Sequence, residues 1–388
     1  MRAKDTGGGE RRKRVFFVDP MSTGNPARYD YGVLCETDGD ITYFCSKYID
    51  TAEHSHIKYK HIYAYNRLRS APLKAASYIC SCVALLFVTV ARRPDIVHVQ
   101  WLKMEPFDRV VYGMIKALSG ARIVFTAHNA YPHHGRTYLG TYGKVYNRLF
   151  DKIIVHTPRT RDEIMRRFNV PAERFAVIPH GIHKMGFDKE LYDSQEAAYD
   201  AKYGLDGAFV VASLGTQLRY KGTDILAKVW SETPALRDDA TLRLVIAGKV
   251  KERLDLTPLD GIDNATVVDA RISDEEYYYL LLRTDVQVFP YRSNFASQSG
   301  ALFIALSEHV PVLVADQGGL TDPLKHGHVG WQMGPCTEEA LRRCLLDITR
   351  HRDAARKIKH DDAEWRKVTS AYDWHKISRR TQELYDSL

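Results

Sequence analysis

The sequence predicts an α/β protein made of two doubly wound, parallel-sheet domains. Short apolar runs recur between helical patterns at residues 15–19, 95–101, 121–129, 152–157 and 175–181. The pattern lapses over the charged and polar stretch 182–207 and restarts at 209–215, 242–248, 265–270, 286–290 and 310–315. Strands alternating with helices favour a parallel sheet covered on both faces. With 388 residues the chain can form two domains, each with its own core.

The elements follow in order. The first residues, MRAKDTGGGERRKR, are polar and basic and lead straight into the strand VFFVD, with no apolar signal core between them. No secretion and a cytoplasmic location are expected. The loop after this strand, DPMSTGNPARYDYG, offers Gly24, Asn25 and Arg28. The next long apolar run is AASYICSCVALLFVTVA, residues 75–91, followed by Arg92 and Arg93. A spanning helix needs about 20 apolar residues, and this run is shorter and carries serines and a threonine. A buried helix packing on the next strand is expected. Lys58, Lys60, Arg67, Arg69, Lys74, Arg92 and Arg93 surround the run, which suits either a solvated basic face or peripheral contact with an acidic membrane. The strands DIVHVQW, ARIVFTAHN, KIIVHT and FAVIPHG then complete the first half.

Composition narrows the class. With 45% hydrophobic and 27% charged residues the chain is neither disordered nor fibrous. A net charge of +7 and a pI near 8.9 point to an anionic partner; nucleic acid, acidic membrane and sugar nucleotides all qualify. The six cysteines show no CxxC pair and no zinc spacing, so reduced, mostly buried thiols are expected. His133 and His134 have no third ligand at metal spacing, so no metal site is indicated.

Chemistry is expected at the strand ends, because open α/β sheets bind ligands beyond the carboxyl ends of their strands. The segment from Phe289 to Leu320 runs from a strand into the loop Ser297, Gln298, Ser299, Gly300, then an apolar helix, then a second strand closing on Gly318 and Gly319. Free amides and the helix dipole suit a phosphate there. An ordinary turn with a serine cap would leave the same trace. The run GTQLRYKG places Arg219 and Lys221 just past Gly215; Gly248 precedes Lys249, Arg271 follows Ala270, and Tyr291 and Arg292 precede the serine loop. The first half supplies histidines: His98, His128, His156, His180 and His183. His128, directly after IVFTA, is the one best placed to meet a substrate; for His98 and His156 a structural bond to a loop carbonyl is the favoured reading.

Taken in order, DIVHVQW, TAHN, PHGI, GTQLRYKG, LVIAG, PYRSNFASQSG, VPVLVADQGGL and YDWHKISRRTQELY resemble the GT-B glycosyltransferases, specifically family 4. The resemblance implies two Rossmann-like domains facing a cleft: an acceptor-binding domain over residues 1–185, a nucleotide-sugar-binding domain over 186–371, and a helix over 372–388 that packs back on the first domain. It implies a nucleotide-sugar donor, a glycan or lipid-linked acceptor, and neither metal, cofactor nor nucleic acid. Lys221 would hold the donor diphosphate, helped by Arg219 and Gly215, with Tyr291 and the loop Ser297, Gln298, Ser299 and Gly300 beside it. Arg271 and Ile272 would flank the base, His128 would touch the transferred sugar, and Gly24, Asn25 and Arg28 would face the acceptor.

The chain also departs from the family pattern. The two glutamate positions common around this loop and helix are Ala296 and Ile304 here, and Thr216 stands where an arginine is frequent. These losses leave the sugar unread by carboxylates. They admit a catalytically degenerate sugar-nucleotide-binding protein beside a retaining transferase. An inverting enzyme would need a base, for which Asp19 and His128 are the candidates.

Overall fold

A computed structural model describes residues 12–46, 56–130, 139–182, 189–293 and 295–388. The chain divides into two compact units, Met1–Pro179 with Trp374–Leu388, and His180–Asp373.

The first unit is built on a parallel sheet in which β1 (Arg14–Val18), β2 (Asp40–Ser46), β3 (Lys58–Tyr63), β4 (Ile96–Val99), β5 (Arg122–Ala127), β6 (Lys152–Val155) and β7 (Phe175–Val177) stand in the order β3-β2-β1-β4-β5-β6-β7. Helices α1 (Asn25–Leu34), α2 (Ala71–Arg92), α3 (Glu105–Ser119), α4 (Leu139–Arg148) and α5 (Pro158–Phe168) connect them. Local signals set the ends: Thr157 caps α5 by accepting from Thr160 N at 2.9 Å, and Asn169 closes it at φ 54°. The central strands are buried on both faces, as parallel strands between helices must be. The last helix, α14 (Trp374–Asp386), belongs to this unit: Ile377 and Tyr385 join Val15, Phe17, Tyr43 and Ile96 in one core.

The second unit opens with α6 (Lys189–Tyr203) and holds β8 (Phe209–Leu214), β9 (Leu242–Ala247), β10 (Ala265–Val268), β11 (Val286–Phe289), β12 (Val312–Ala315) and β13 (Gly330–Gly334) in the order β10-β9-β8-β11-β12-β13, all parallel. Between them run α7 (Thr223–Glu232), α8 (Pro234–Arg237), α9 (Asp274–Arg283) and α10 (Gly300–Ser307), and after them α11 (Glu338–Arg350), α12 (Arg352–Lys359) and α13 (Asp362–Ala371). Alternation along β8 serves two cores: Val210, Ala212 and Leu214 face one, Phe209 and Val211 the other.

Three expectations need correction. The stretch 182–207 is not merely a connection: α6 lies in it, and Tyr203 and Leu205 enter the core of the second unit. Helix α2 is not a buried helix, because only Tyr78, Ser81, Cys82, Leu85 and Thr89 of its 22 residues are buried. The thiols are not mostly buried either; Cys45 and Cys82 are, whereas Cys80 is exposed and Cys35, Cys336 and Cys344 are intermediate.

Candidate active site

In each unit the strand order reverses at one point, between β1 and β4 in the first and between β8 and β11 in the second. Such switch points open a crevice beyond the strand ends.

In the second unit the crevice is formed by two loops. After β8 the chain turns at Gly215 (φ 98°) and makes a tight 3-10 turn over Arg219–Lys221 before α7. Buried Gln217 holds this loop: its Nε2 donates to the carbonyls of Ser213 (3.1 Å) and Gly215 (2.9 Å), and its Oε1 accepts from the Thr223 hydroxyl (2.6 Å). Gly222 permits the turn to touch the loop after β11, since a Cβ there would stand 2.0 Å from the Pro290 carbonyl oxygen. Arg292 ties the two together. It donates from its backbone N to Tyr220 O (2.7 Å) and from Nε to Arg219 O (2.9 Å), and pairs with Asp224 at 2.5 Å.

Lys221 therefore sits at the switch point, next to Gly215. Its backbone N–H donates to Leu218 O (2.9 Å), but among the described residues its ammonium has neither a hydrogen bond nor an ion pair, and desolvation lowers that ammonium from the usual 10.5 to about 8. A half-buried cation without a counter-ion has its charge available to an anion. Arg219 is exposed beside it, its backbone N held by Glu252 Oε2 at 2.6 Å.

The serine loop completes the crevice. Tyr291 is buried, its hydroxyl 2.9 Å from Ser299 Oγ, and burial pushes its pKa well up; it supports the loop from beneath. Tyr220 stacks on Phe295 with ring centroids 5.5 Å apart, and Phe295 meets Tyr291 edge-on at 4.8 Å. Ser297 is buried and its carbonyl accepts from Gly319 N (3.0 Å); a Cβ on Gly318 would lie 2.3 Å from that same oxygen. Gln298 accepts the His180 backbone N–H at 2.9 Å. Ser299 stands at the cap position of α10 but its side chain does not cap the helix. The serine-cap reading is thereby removed, and among the described residues the amides of Gly300 and Ala301 have no protein acceptor. Arg271 is exposed after β10; Ile272 packs partly buried against the core, and Ser273 caps α9 through Glu276 N (3.1 Å). Ile304 likewise turns to the core.

In the first unit, His128 stacks on Trp101 at 4.4 Å and bonds Gln100 Oε1 through Nε2 at 3.0 Å. His156 donates from Nδ1 to the Ile178 carbonyl (2.9 Å), and its Nε2 lies 3.4 Å from His128 Nδ1. Burial lowers His156 to about 4 and His98 to about 3. His98 lies between Tyr385 Oη (2.6 Å) and Thr126 Oγ1 (2.7 Å), so its partners are side chains where a loop carbonyl was expected. Asp19, at the end of β1, is fully buried and raised to about 6 by desolvation; its Oδ1 accepts from Met21 N (2.6 Å). Its buried neighbour Asp30 accepts the Tyr43 hydroxyl. Gly24 opens α1 at φ 60°, and Arg28 donates its backbone N–H to Gly24 O at 3.1 Å. The side chain of Asn25, like His133, His134 and His183, lies outside the described residues.

Beyond β1 and β4 a cavity is lined by Met21, Thr23, Tyr65, Asn66 and Lys103. The Lys103 ammonium stands 4.5 Å above the Tyr65 ring, and burial together with nearby Lys74 lowers its pKa. The sequence reading missed Gln217, Trp101, Tyr65 and Lys103. Gln217 lay inside GTQLRYKG and Lys103 two residues past DIVHVQW, but the burial of Gln217 and the cavity beside Lys103 are properties of the fold.

The comparisons with known proteins show the family and the fold. Residues 34–184 match the model of Glycosyltransferase Family 4, and residues 208–351 that of Glycosyl transferases group 1. No curated protein matches by sequence. Among solved structures, Anabaena HepE in complex with UDP and glucose is 16% identical with a TM-score of 0.68, covering 97% of this chain and 100% of its own. Sucrose-phosphate synthase from Thermosynechococcus elongatus is 18% identical at a TM-score of 0.68, covering 97% and 99%. A trehalose-phosphate synthase from Burkholderia xenovorans is 13% identical at 0.66, covering 96% and 100%. At such identities these structures show the shared fold.

Proposed function

We propose that this chain, a GT-B glycosyltransferase of the family 4 type, transfers a hexose from a UDP- or GDP-linked donor to a glycan or lipid-linked acceptor. The setting would be surface polysaccharide or glycolipid assembly, on the cytoplasmic face of a membrane. The observation that carries this reading is the half-buried ammonium of Lys221, with no partner among the described residues, at the β8/β11 switch point. The open amides of Gly300 and Ala301 begin the helix of the adjoining loop. A nucleoside diphosphate supplies the two things this arrangement lacks, negative charge and hydrogen-bond acceptors. UDP in the structures of Anabaena HepE and of an E. coli trehalose-6-phosphate protein bound with UDP-2-fluoro glucose supports a uridine donor first.

The chemistry follows from charge. As the bond between the anomeric carbon and the diphosphate oxygen breaks, negative charge grows on the leaving nucleotide. Lys221 and the amides, already positioned by the fold, would meet that charge without reorganising. The acceptor oxygen bonds to the anomeric carbon and its proton passes to the leaving phosphate on the same face, so configuration is retained. No metal or other cofactor is needed in this scheme. Asp19 argues against inversion, because a carboxylate with no exposed surface cannot reach an acceptor hydroxyl. His128, partly exposed, would touch the sugar, and the cavity at Lys103 would take the acceptor side.

A second reading, a binding protein that has lost its chemistry, is favoured by Ala296 and Ile304, which offer the sugar no carboxylate. Donor hydrolysis separates the two. Incubated with UDP- or GDP-hexose alone, a transferase slowly releases the nucleoside diphosphate; no release by protein that is folded and saturated with donor would establish the binding protein.

A further inference from the structure

Helix α2 is turned inside out. Of its five buried residues, Tyr78, Ser81 and Thr89 carry hydroxyls. Tyr78 donates to Asp108 Oδ1 (2.8 Å) and Ser81 to the Ile62 carbonyl (2.7 Å). The face left in solvent is apolar. Leu73, Val83, Phe87 and Val88 stand on it, Phe87 with 70% of its surface exposed, and no charged residue interrupts α2 between Lys74 and Arg92. Helix α3 packs alongside and continues the surface with exposed Val110, Met114 and Leu118. An apolar area of this extent on two adjacent helices marks a contact surface.

Charge identifies what covers it. Residues 56–122 hold eleven lysines and arginines but three acids, and two of those, Glu105 and Asp108, are buried. Lys74, Arg92, Arg93 and Arg109 are exposed around the patch. A second copy docking face to face would bring these cations together with no exposed acid of the segment 96–122 to answer them. An anionic lipid surface answers both the apolar face and its basic rim.

We propose that the joined outer faces of α2 and α3 rest on an anionic phospholipid bilayer, with α2 lying along the headgroup boundary and not crossing it. By length and composition α2 could span a membrane. Spanning would pull Tyr78 and Ser81 from their partners and carry their hydroxyls into hydrocarbon. Lying flat keeps these bonds and buries only the face that has no protein against it. The proposal does not depend on the transfer reaction, since lipid binding is its readout.

The test is flotation of the full chain with vesicles of phosphatidylglycerol and phosphatidylcholine in equal parts, against vesicles of phosphatidylcholine alone. The chain is expected to float with the first and not the second, and to be released by salt. Replacing Arg92 and Arg93 by Glu should weaken binding by about tenfold or more, from roughly 1 kcal/mol per cation near such a surface. Phe87→Glu combined with Leu118→Glu should abolish it, with the melting temperature unchanged because both positions are exposed. Three results would overturn the proposal: no flotation of folded chain, undiminished binding by the double variant, or recovery in the membrane fraction after alkaline carbonate extraction. A solution dimer that Phe87→Glu splits, without vesicle binding, would assign the face to a second copy instead.

Discussion

A lysine whose proton is held only to about pH 8 makes donor affinity depend on pH in a definite direction. Bound diphosphate favours the charged ammonium, so binding above pH 8 must take up a proton. Affinity for UDP or GDP should fall about tenfold per pH unit above 8, and isothermal titration across pH 7–10 checks it. Lys221→Ala should abolish that slope and lower turnover by about a hundredfold or more, as loss of a preorganised charge does elsewhere. Near-normal turnover in that variant would remove Lys221 from the site. The residue was legible as a cation one turn past a glycine, but its isolation was not. Nothing in GTQLRYKG says that Arg292 spends its charge on Asp224 while Lys221 keeps its own. Nor does the sequence separate a serine that caps from one that props: Ser299 turns its hydroxyl to Tyr291, whose ring comes from a strand end eight residues earlier.

Elements were readable where burial is symmetric. The central strands β1, β4, β5, β8, β9, β11 and β12 announce themselves as mostly apolar runs because helices cover both faces. Strands β2 and β3 alternate with polar or charged residues, as in Lys58 and Lys60, and β13 carries two glycines, so neither type stands out from loop sequence. Helix α6 was hidden by its charge and α2 was misplaced by its hydrophobicity. Apolar content measures what a face avoids, water, without saying whether protein or lipid relieves it. The contact of α1 with α14 gives a sharper expectation. A Cβ on Gly32 would fall 2.2 Å from the Trp374 ring, so Gly32→Ala should cost about 1–3 kcal/mol through overpacking, measured as a shift in the urea midpoint. A Trp374→Ala change added to it should recover part of that loss.

At the scale of the molecule, titration and ligand binding report on different units. In the first, His98 and His156 stay neutral in the fold to about pH 3 and 4 but protonate near 6.5 when unfolded. The unfolded chain then binds more protons, so stability falls as pH drops from 6.5 toward 4. Asp19, raised from 3.8 to about 6, works the other way over 6 to 3.8, and burial raises Asp30 and Asp108 in the same direction. Urea midpoints at pH 7 and pH 4.5 isolate the histidines' share: His98→Gln with His156→Gln should raise the midpoint at pH 4.5 relative to that at pH 7. The second unit should respond to donor nucleotide: at a hundred times its dissociation constant the correct one adds about 2.7 kcal/mol, and a thermal-shift screen of UDP-, GDP- and ADP-sugars identifies it. If none shifts the melting temperature, the donor site is elsewhere. The return of α14 to the first unit bears on how the protein is made. Tyr385 reaches His98 across 287 positions, and Ser378 binds Val33 O and Glu36 N at 2.7 and 2.8 Å. In chain order the whole segment 180–373 is made before Trp374–Asp386. The first unit, though begun earlier, has its core completed only by α14, which is made after the second unit; a stop codon near residue 373 would spare the later-made unit and strand the earlier one.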